Sequence, residues 1–553
     1  MGALDGWLTG FRPYLLLAGF CLLLYAPGIA ATPPLDRDEA RFAQATRQML
    51  ETGDFLRIRF QDEARNRKPA GIYWLQAASV EMFSSPESRA IWPYRLVSVI
   101  GASGAVLATF AFGCALFRTE TAPRRSAFAA AALLAGTLGV AVEAHIAKTD
   151  AMLLAAIVAA QGALGLAYLR ARDGRPVAFW VAAVFWIAEA AAILLKGPPA
   201  PMLAIVTAAA LSIADRDARW LRGLRPAVGI ALLVLLLAPW LIAIQNATGG
   251  RFLAESLGRD LFTKLIGAQE SHGAPPLSYL ALAIVTLWPA SLFLVPAMLR
   301  VWRRRQAPAE RFLLAWIVPA WVLLELVPTK LPHYALPLYP AIALAAGAAL
   351  AGFVPLGRAS WAARIDIAVR SLWAIATLTL AAALIVLPIR FGTGPEFVGV
   401  FGAALIVAIA ALLLYRAPSL AALPLLGALS LAFIGIAAAG VLPSLDRLWL
   451  SRSAASLVET HPPARGEPLV AVGYSEPSLV FLLGTDLRLA GAGAAAETLS
   501  NGGEALVSGR EDPIFHQSLA ARGLVADRIG ETRGLDYSNG QHMVLTLYVV
   551  RRG

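Results

Sequence analysis

Long apolar runs, separated by short polar connectors, occupy the chain up to about residue 441. A membrane-spanning helix needs about 20 mostly apolar residues, and on this measure the pattern predicts about 13 spans. They lie near residues 13–31, 92–117, 127–145, 150–169, 176–194, 198–213, 226–246, 277–299, 312–328, 334–353, 367–389, 397–415 and 419–441. The pattern therefore predicts a polytopic α-helical membrane domain over residues 1–441.

Two of the connectors on one side of the membrane are much longer than the rest, at residues 32–91 and 247–276. From Asp38 to Leu50, apolar residues recur near helical spacing, which predicts an amphipathic helix on the membrane surface. The stretch "PAGIYWLQAASVEMF" predicts a second such helix, with Tyr73 and Trp74 at the membrane–water interface.

The pattern changes after residue 441, where short strand-like and helix-like segments alternate. Strands are predicted at "EPLVAVGY", "DLRLAG", "EALVSG" and "HMVLTLYVV", and helices at "EPSLVFLLG" and "PIFHQSLAARGL". Residues 442–553 are therefore predicted to form a small α/β domain. Because it carries no glycine-rich phosphate-binding motif in the right place, we favour a structural cap over a binding module.

Composition and charge set the topology. Only 15% of the 553 residues are charged, whereas a soluble domain carries about 25%. The net charge of +11 comes from arginines in alternate connectors, such as "FRTETAPRRS" and "RVWRRRQAPAER". Such short basic connectors stay in the cytoplasm. We therefore expect a cytoplasmic N-terminus, an outer C-terminal domain and no nucleic-acid partner.

Acidic and basic residues collect in the outer connectors, where charge near a membrane usually has a function. The residues that we single out are the acids Asp38, Glu39 and Asp150 and the cations Arg41, Lys68, Lys196 and Lys330. Carboxylates bind hydroxyls, amines or protons, and lysine and arginine bind phosphate. These groups suit the transfer of a sugar from a lipid phosphate, and a lipid-linked donor is expected because the outer face has no nucleotide sugars.

The acids also have structural interpretations. Acids favour the first turn of a helix, and for Asp36 we favour an N-cap. For Asp38 and Glu39 we favour function, because paired acids at an apolar–aqueous boundary suit a base or a sugar ligand. Asp150 begins a helix and could cap it, although Lys148 two residues earlier favours function.

For Lys196 and Lys330, membrane-anchoring side chains and functional cations are equally supported. His272 and His333 could bind a metal with Glu255 or Glu270, but their spacing matches no metal motif. A zinc site is therefore the less favoured interpretation.

The segments "DRDEARFAQATRQMLETGDF" and "RKPAGIYW" together resemble the GT-C class of polyprenyl-phosphate-sugar glycosyltransferases. The likeness is strongest to the lipid A 4-amino-4-deoxy-L-arabinose transferases. The positions that carry it are Asp38-Glu39, Arg41, Gly53-Asp54, Lys68-Pro69, Tyr73-Trp74, Asp150, Lys196-Gly197 and Lys330-Leu331-Pro332. Arg67 replaces the acid that this family has before the lysine.

The resemblance implies a GT-C fold in a bacterial inner membrane, with the active site facing the periplasm. It implies Asp38 as the catalytic or acceptor-orienting carboxylate, with Glu39 and Asp150 beside it. Donor phosphate would be held by Lys68 and Arg41, with Lys196 and Lys330 as further candidates. Candidate substrate contacts are Arg65, Tyr73, His333, Tyr334 and Arg259.

The implied donor is aminoarabinose on undecaprenyl phosphate, and the implied acceptor is a phosphate of lipid A. No cofactor is required, with a divalent metal such as zinc as the alternative. Three other functions fit parts of the pattern: transfer of another sugar, for example to protein as mannose; transport; and a receptor whose C-terminal domain binds the ligand. Transport is disfavoured because the charges gather at one face and no internal repeat is present.

Overall fold

The computed structural model describes residues 6–66, 68–256, 274–352, 360–415, 419–464 and 466–552. Its membrane part is helical, as the apolar pattern predicts. The helices are Arg12–Tyr25, Trp92–Leu116, Pro123–Gly136, Leu138–Ala144, Asp150–Arg172, Phe179–Lys196, Pro199–Asp215, Pro226–Ala247, Arg251–Leu253, Ser278–Thr286, Leu294–Arg303, Pro308–Leu326, Tyr339–Ala351, Trp361–Phe391, Phe397–Tyr415 and Leu423–Gly435. Short 3-10 turns lie at Arg219–Leu224, Ala290–Phe293 and Pro332–Leu338.

Each predicted span coincides with one of these helices or with a bent pair of them. Judged by length and composition, eight of the described helices can cross a membrane, and up to ten if each bent pair is one span. The pairs bend by 60° at Thr137 and by 114° before Ala290. The fold is therefore polytopic, while the number 13 stays a prediction.

Small residues let the central helices approach closely. A side chain at Gly101 would come within 2.6 Å of the Met152 backbone, and one at Gly347 within 2.5 Å of the Ala130 backbone. Close helix contact at glycine and alanine is the usual packing mode in membranes. The contact at Gly101 brings the helix Trp92–Leu116 against Asp150–Arg172, and this pair supports the site described below.

The first long connector forms the helix Asp38–Thr52, here called the Asp38 helix, a hairpin of strands β1 (Arg59–Phe60) and β2 (Glu63–Ala64), and the helix Gly71–Phe83. Both predicted helices are therefore present. Phe42 and Met49 pack into a core with Tyr73, so part of the apolar face of the Asp38 helix contacts protein. A location at the membrane surface stays a prediction for both helices. Tyr73 is fully buried instead of lying at the interface.

The opposite face of the Asp38 helix contacts the C-terminal domain. Gln44 donates to the Thr485 hydroxyl at 2.7 Å, and that hydroxyl donates to Glu51 at 2.7 Å. Arg47 donates to the Phe481 carbonyl at 3.0 Å. The helix is thus held between two layers, which explains why its polar residues Gln44, Thr46 and Arg47 are buried.

Asp36 also faces this domain and does not cap the helix. The Ser478 N–H donates to its carboxylate at 3.2 Å, and its own N–H donates to the Tyr537 hydroxyl at 2.7 Å. The residue at the N-cap position is Arg37, and no side chain caps the helix. The predicted capping role of Asp36 is therefore wrong.

The C-terminal domain contains one mixed five-stranded sheet. Its strands are β3 (Leu469–Val472), β4 (Arg488–Ala490), β5 (Gly503–Ser508), β6 (Leu524–Asp536) and β7 (Gln541–Arg552), and its helices are Leu450–Thr460, Pro477–Leu483, Ala492–Thr498 and Asp512–Ala520. The sheet order is β4-β3-β5-β7-β6, with β3 parallel to β4 and β5, and β7 antiparallel to β5 and β6. The α/β prediction is confirmed. The sequence pattern missed β6, because its burial does not alternate regularly between its two faces.

Candidate active site

A cavity of about 280 Å³ opens where several of the expected residues meet. Its polar end is lined by Lys68, Asp150, Lys196 and His333, with Tyr334 beside them. The rest of its wall is mostly apolar and includes Leu153, Ile157, Leu203, Leu323 and Leu324. A phosphate with a long hydrocarbon tail matches this division, because its head needs cations and its tail needs an apolar wall.

Asp150 is the centre of the charged end. Lys196 Nζ donates to Asp150 Oδ1 at 2.5 Å, and Lys148 Nζ lies 3.7 Å from Asp150 Oδ2. His333 Nε2 is 4.0 Å from Asp150 Oδ1, which is beyond hydrogen-bond distance. Lys196 also lies 5.7 Å from the centre of the Tyr334 ring, within range of a cation–π contact. Asp150 therefore neutralises and orients its lysines.

Lys148 links this centre to a second buried acid, Glu143. The ammonium is 3.0 Å from Glu143 Oε2, and both side chains are almost completely buried. Burial opposes the charge of Lys148, but the carboxylates of Asp150 and Glu143 outweigh it and hold the pKa of Lys148 above its ordinary value. A lysine held in this way remains cationic at neutral pH.

Asp38 is exposed at the first turn of the Asp38 helix. Its charge contributes to raising the pKa of Lys148 and of Tyr73, which places it near both groups. The preceding Arg37 has a positive φ of 64°. Such a conformation costs about 1–3 kcal/mol and is concentrated at functional sites. Asp38 is thus the acid of the opening cluster that remains accessible to a substrate.

Glu39 has a different environment. Its carboxylate accepts from Arg95 Nε and Nη2, each at 2.8 Å, and from the backbone N–H groups of Ala147 at 2.7 Å and Leu35 at 2.8 Å. Arg95 is itself buried and donates to three backbone carbonyls, of Ile29, Thr32 and Pro33. These contacts favour a structural role for Glu39 over the catalytic role expected from the sequence.

The Glu39–Arg95 pair has a consequence for the site. Because Glu39 also accepts from Ala147, it ties the start of the Asp38 helix to the turn that carries Lys148 and Asp150. This link is structural, since the described cavity wall contains neither Glu39 nor Arg95.

The other candidate cations are placed differently. Lys330 donates to the carbonyls of Glu325 at 2.9 Å and Val327 at 2.7 Å, so it satisfies carbonyl groups at the end of the helix Pro308–Leu326. This geometry favours helix capping over donor binding for Lys330. Arg41 is exposed on the side toward Glu476 of the C-terminal domain. The described cavity wall contains neither residue, whereas it contains Lys68 and Lys196.

Two of the expected substrate contacts, Arg65 and Tyr73, lie together beside the Asp38 helix. The Arg65 guanidinium lies 5.0 Å from the centre of the Phe42 ring. Burial raises the pKa of Tyr73, and the nearby Arg65 opposes that shift. His333 and Tyr334 line the cavity itself, and their rings meet edge to face at 4.9 Å.

Of the expected metal ligands and the candidate contact Arg259, the structure describes only some. Arg259, Glu270 and His272 lie outside the described residues. Glu255 accepts a hydrogen bond from Asn66 at 3.1 Å. Within the described ranges, no group of at least three His, Cys, Asp or Glu side chains is placed to hold a metal ion.

Sequence reasoning missed Arg95 and Glu143 and left Lys148 in a secondary place. Each is a single charge in or beside an apolar run, as in "WPYRLVS" and "GVAVEAHIAKTD". A lone charge at such a position is costly unless it is paired. That signal was available, but the identity of the partner required the fold.

No family model matches the chain. The undecaprenyl phosphate-alpha-4-amino-4-deoxy-L-arabinose arabinosyl transferase 2 of Pseudomonas fluorescens (strain Pf0-1) is 27% identical over 338 residues, or 61% of this chain and 59% of the relative. The corresponding transferase of Pseudomonas aeruginosa (strain UCBPP-PA14) is 29% identical over 378 residues, 65% of either chain. The match thus spans 59% and 65% of these two relatives.

The crystal structure of ArnT from Cupriavidus metallidurans bound to undecaprenyl phosphate aligns with a TM-score of 0.71 over 98% of both chains, at 18% identity. The chain has the ArnT fold. The apo crystal structure of ArnT from Cupriavidus metallidurans matches as well, with a TM-score of 0.70 and 19% identity. The ArnT fold confirms the resemblance drawn from the motifs and the prediction of a polytopic membrane protein with a small C-terminal α/β domain.

Proposed function

We propose that this protein transfers 4-amino-4-deoxy-L-arabinose from undecaprenyl phosphate to a phosphate of lipid A. The observation that carries the proposal is the cavity in which Lys68 and Lys196 stand at one end of an apolar wall. The names of the relatives and the undecaprenyl phosphate bound in the ArnT crystal structure support the same donor.

The chemistry follows from the charges of the reactants. An oxygen of the acceptor phosphate attacks the anomeric carbon, the bond from that carbon to the donor phosphate oxygen breaks, and undecaprenyl phosphate leaves. The leaving phosphate gains negative charge, so the cations that hold it stabilise the transition state more than the ground state. Lys68 and Lys196 have this role, and Asp150 orients Lys196 at 2.5 Å.

Asp38 acts on the sugar in this proposal. The acceptor phosphate is already anionic, so no general base is needed to remove a proton from it. The exposed carboxylate of Asp38 instead binds the ammonium group of the aminosugar, an ionic hydrogen bond of the stronger kind. The carboxylate thereby selects a positively charged sugar and orients its anomeric carbon.

The reaction is proposed to take place on the periplasmic side of a bacterial inner membrane. Support comes from the arginine-rich connectors, which assign the opposite face to the cytoplasm. No cofactor is required by the chemistry described, since the lysines supply the positive charge.

Reconstitution tests the proposal. Purified protein in liposomes receives undecaprenyl phosphate-aminoarabinose together with lipid A or with an unglycosylated peptide, and mass spectrometry follows each acceptor. The expected result is a mass gain of one aminoarabinose on lipid A alone. Transfer to the peptide, or the absence of transfer to lipid A with an intact donor, would refute the acceptor assignment.

A further inference from the structure

Another cavity lies where the membrane part meets the C-terminal domain. It has a volume of about 400 Å³ and is lined by Arg390, Phe391, Arg447, Arg533, Gly534, His542, Met543 and Val544. Three arginines and a histidine thus surround one space, which we call the arginine pocket. It does not share a lining residue with the donor cavity.

The backbone fixes the walls of the arginine pocket. The Arg447 N–H donates to the Phe391 carbonyl at 2.9 Å, and the Leu535 N–H donates to the Arg447 carbonyl at 2.7 Å. Gly534 allows this approach, because a side chain there would come within 2.7 Å of the Arg447 carbonyl oxygen. These backbone bonds join three elements: the end of the helix Trp361–Phe391, the segment around Arg447 that precedes the C-terminal domain's first helix, and β6. The walls are therefore in place before any ligand binds.

Two of the three arginines are not neutralised by an acidic side chain of the described residues. In the described part of the chain, neither Arg390 nor Arg447 has a side-chain hydrogen bond or ion pair, while Arg533 pairs with Glu531 at 2.6 Å. The neighbouring Asp446 is already paired with Arg452. Arginine matches phosphate oxygens with two parallel hydrogen bonds, so this surplus suits a phosphate ligand.

The position of the arginine pocket indicates where that phosphate comes from. Arg390 lies in the last turn of a helix that is long and apolar enough to span a membrane. Lipid headgroups occupy the level at which such helices end. Phe391, Met543 and Val544 supply an apolar side for the part of a lipid below its phosphate.

We propose that the arginine pocket binds the phosphate of a membrane lipid headgroup. The site is independent of the donor cavity and of the function proposed above. Tyr537, whose hydroxyl accepts from the N–H of Asp36, lies four residues beyond Arg533 on the same hairpin.

The test uses the full-length protein in detergent and native mass spectrometry. The probes are dioleoyl phosphatidylglycerol, lipid A and inorganic phosphate, each titrated separately and in competition. The test variant is Arg390→Gln/Arg447→Gln. Arg488→Gln removes one arginine charge at an exposed position of β4 in the same domain and is the control for Arg390→Gln alone. Lys68→Ala reports any share of binding that belongs to the donor cavity.

In the double variant, the Kd of at least one of the two lipids is expected to rise roughly tenfold or more. This is the effect of losing a charge-assisted hydrogen bond. Arg488→Gln is expected to leave the Kd unchanged, and inorganic phosphate is expected not to displace the lipid. Equal lipid affinity in the double variant and the unaltered protein would overturn the proposal. Displacement by inorganic phosphate would assign the pocket to a free anion. If the double variant does not fold, the exposed Arg390→Gln alone gives the same comparison.

Discussion

At the residue scale, the two adjacent acids Asp38 and Glu39 have opposite environments. Asp38 is exposed, whereas Glu39 accepts four hydrogen bonds inside the protein. A buried carboxylate with a complete set of donors stabilises structure, and an exposed one beside a cavity can bind a ligand. Substitutions at the two positions should therefore fail in different ways.

Asp38→Asn is expected to keep the protein folded and able to bind undecaprenyl phosphate without the sugar, while lowering kcat/KM for transfer. Loss of an ionic hydrogen bond to the sugar ammonium costs about 1.5–3 kcal/mol, which is roughly 10- to 150-fold. A general base would lose about 100- to 10,000-fold, and mostly in kcat. Asp62→Asn, in the exposed β1–β2 turn, is the control. Turnover by Asp38→Asn equal to that of the control would remove Asp38 from the site and leave Asp150 as the leading acid.

Glu39→Gln is expected to lower the melting temperature and to lower activity only in proportion to the folded fraction. Removing one partner of a buried ion pair leaves an uncompensated charge and costs about 3–5 kcal/mol. Replacing both partners, as Glu39→Leu/Arg95→Leu, is expected to recover part of that loss. A thermal melt of the purified proteins measures both. Normal stability with abolished transfer in Glu39→Gln would instead support a catalytic role.

Lys68→Ala is expected to weaken binding of undecaprenyl phosphate roughly tenfold or more, because one charge-assisted contact is lost. Lys330→Ala is the matched control, since Lys330 bonds to backbone carbonyls of its own turn. It should lower thermal stability and leave donor affinity unchanged. Titration with undecaprenyl phosphate in detergent separates the two variants, and the reverse pattern would assign the phosphate to Lys330.

At the element scale, the Asp38 helix depends on two layers. Phe42 and Met49 anchor it to the membrane part, and Arg47 and Gln44 anchor it to the C-terminal domain. The domain therefore helps to position the exposed Asp38, which is a more specific role than a passive cap.

This contact should weaken as the pH rises. Burial raises the pKa of Asp36 to about 6, with Asp536 adding to the shift, and burial together with Asp36 and Asp536 raises the pKa of Glu476 to about 7. Both groups have a higher pKa when the domain is docked, so the docked state holds more protons in this range. Its stability is then greatest at acidic pH and falls as the pH rises from about 4 to above 7.

Thermal melts between pH 5 and pH 8 test this expectation, and the downward slope should become smaller in Asp36→Asn and Glu476→Gln. Asp527→Asn, on the same domain at the edge strand β6, serves as the control for surface charge. An unchanged slope in the first two variants would show that other groups set the pH dependence.

At the scale of the whole molecule, orientation in the membrane decides on which side the site works. The Asp38 helix contacts the C-terminal domain directly. Its start is tied through Glu39 to the Ala147 backbone, just before Asp150 of the donor cavity, so the three share one face. In a cysteine-free background, Ser500→Cys is expected to react with a membrane-impermeant maleimide applied from the periplasm, and Arg304→Cys is expected not to react. Labelling at position 304 from that side would invert the topology and place the active site in the cytoplasm.

The sequence by itself determined the class of the fold. A run of about 20 apolar residues crosses a bilayer as a helix, because only a helix pairs the N–H and C=O groups of such a run within the run itself. The positions of the helices, the α/β character of the C-terminal domain and the candidate residues Asp38, Lys68, Asp150 and Lys196 followed from local pattern and motif.

The tertiary structure decided which of the candidate charges share a space. Glu39 and Lys330 look as functional as Asp38 and Lys196 in one dimension, because burial and pairing depend on partners far away in the chain. Arg95 pairs with Glu39 across 56 positions, and Lys196 pairs with Asp150 across 46. A charge shows in the sequence, but its partner is set by how the helices pack, and the partner determines whether the charge can act on a substrate.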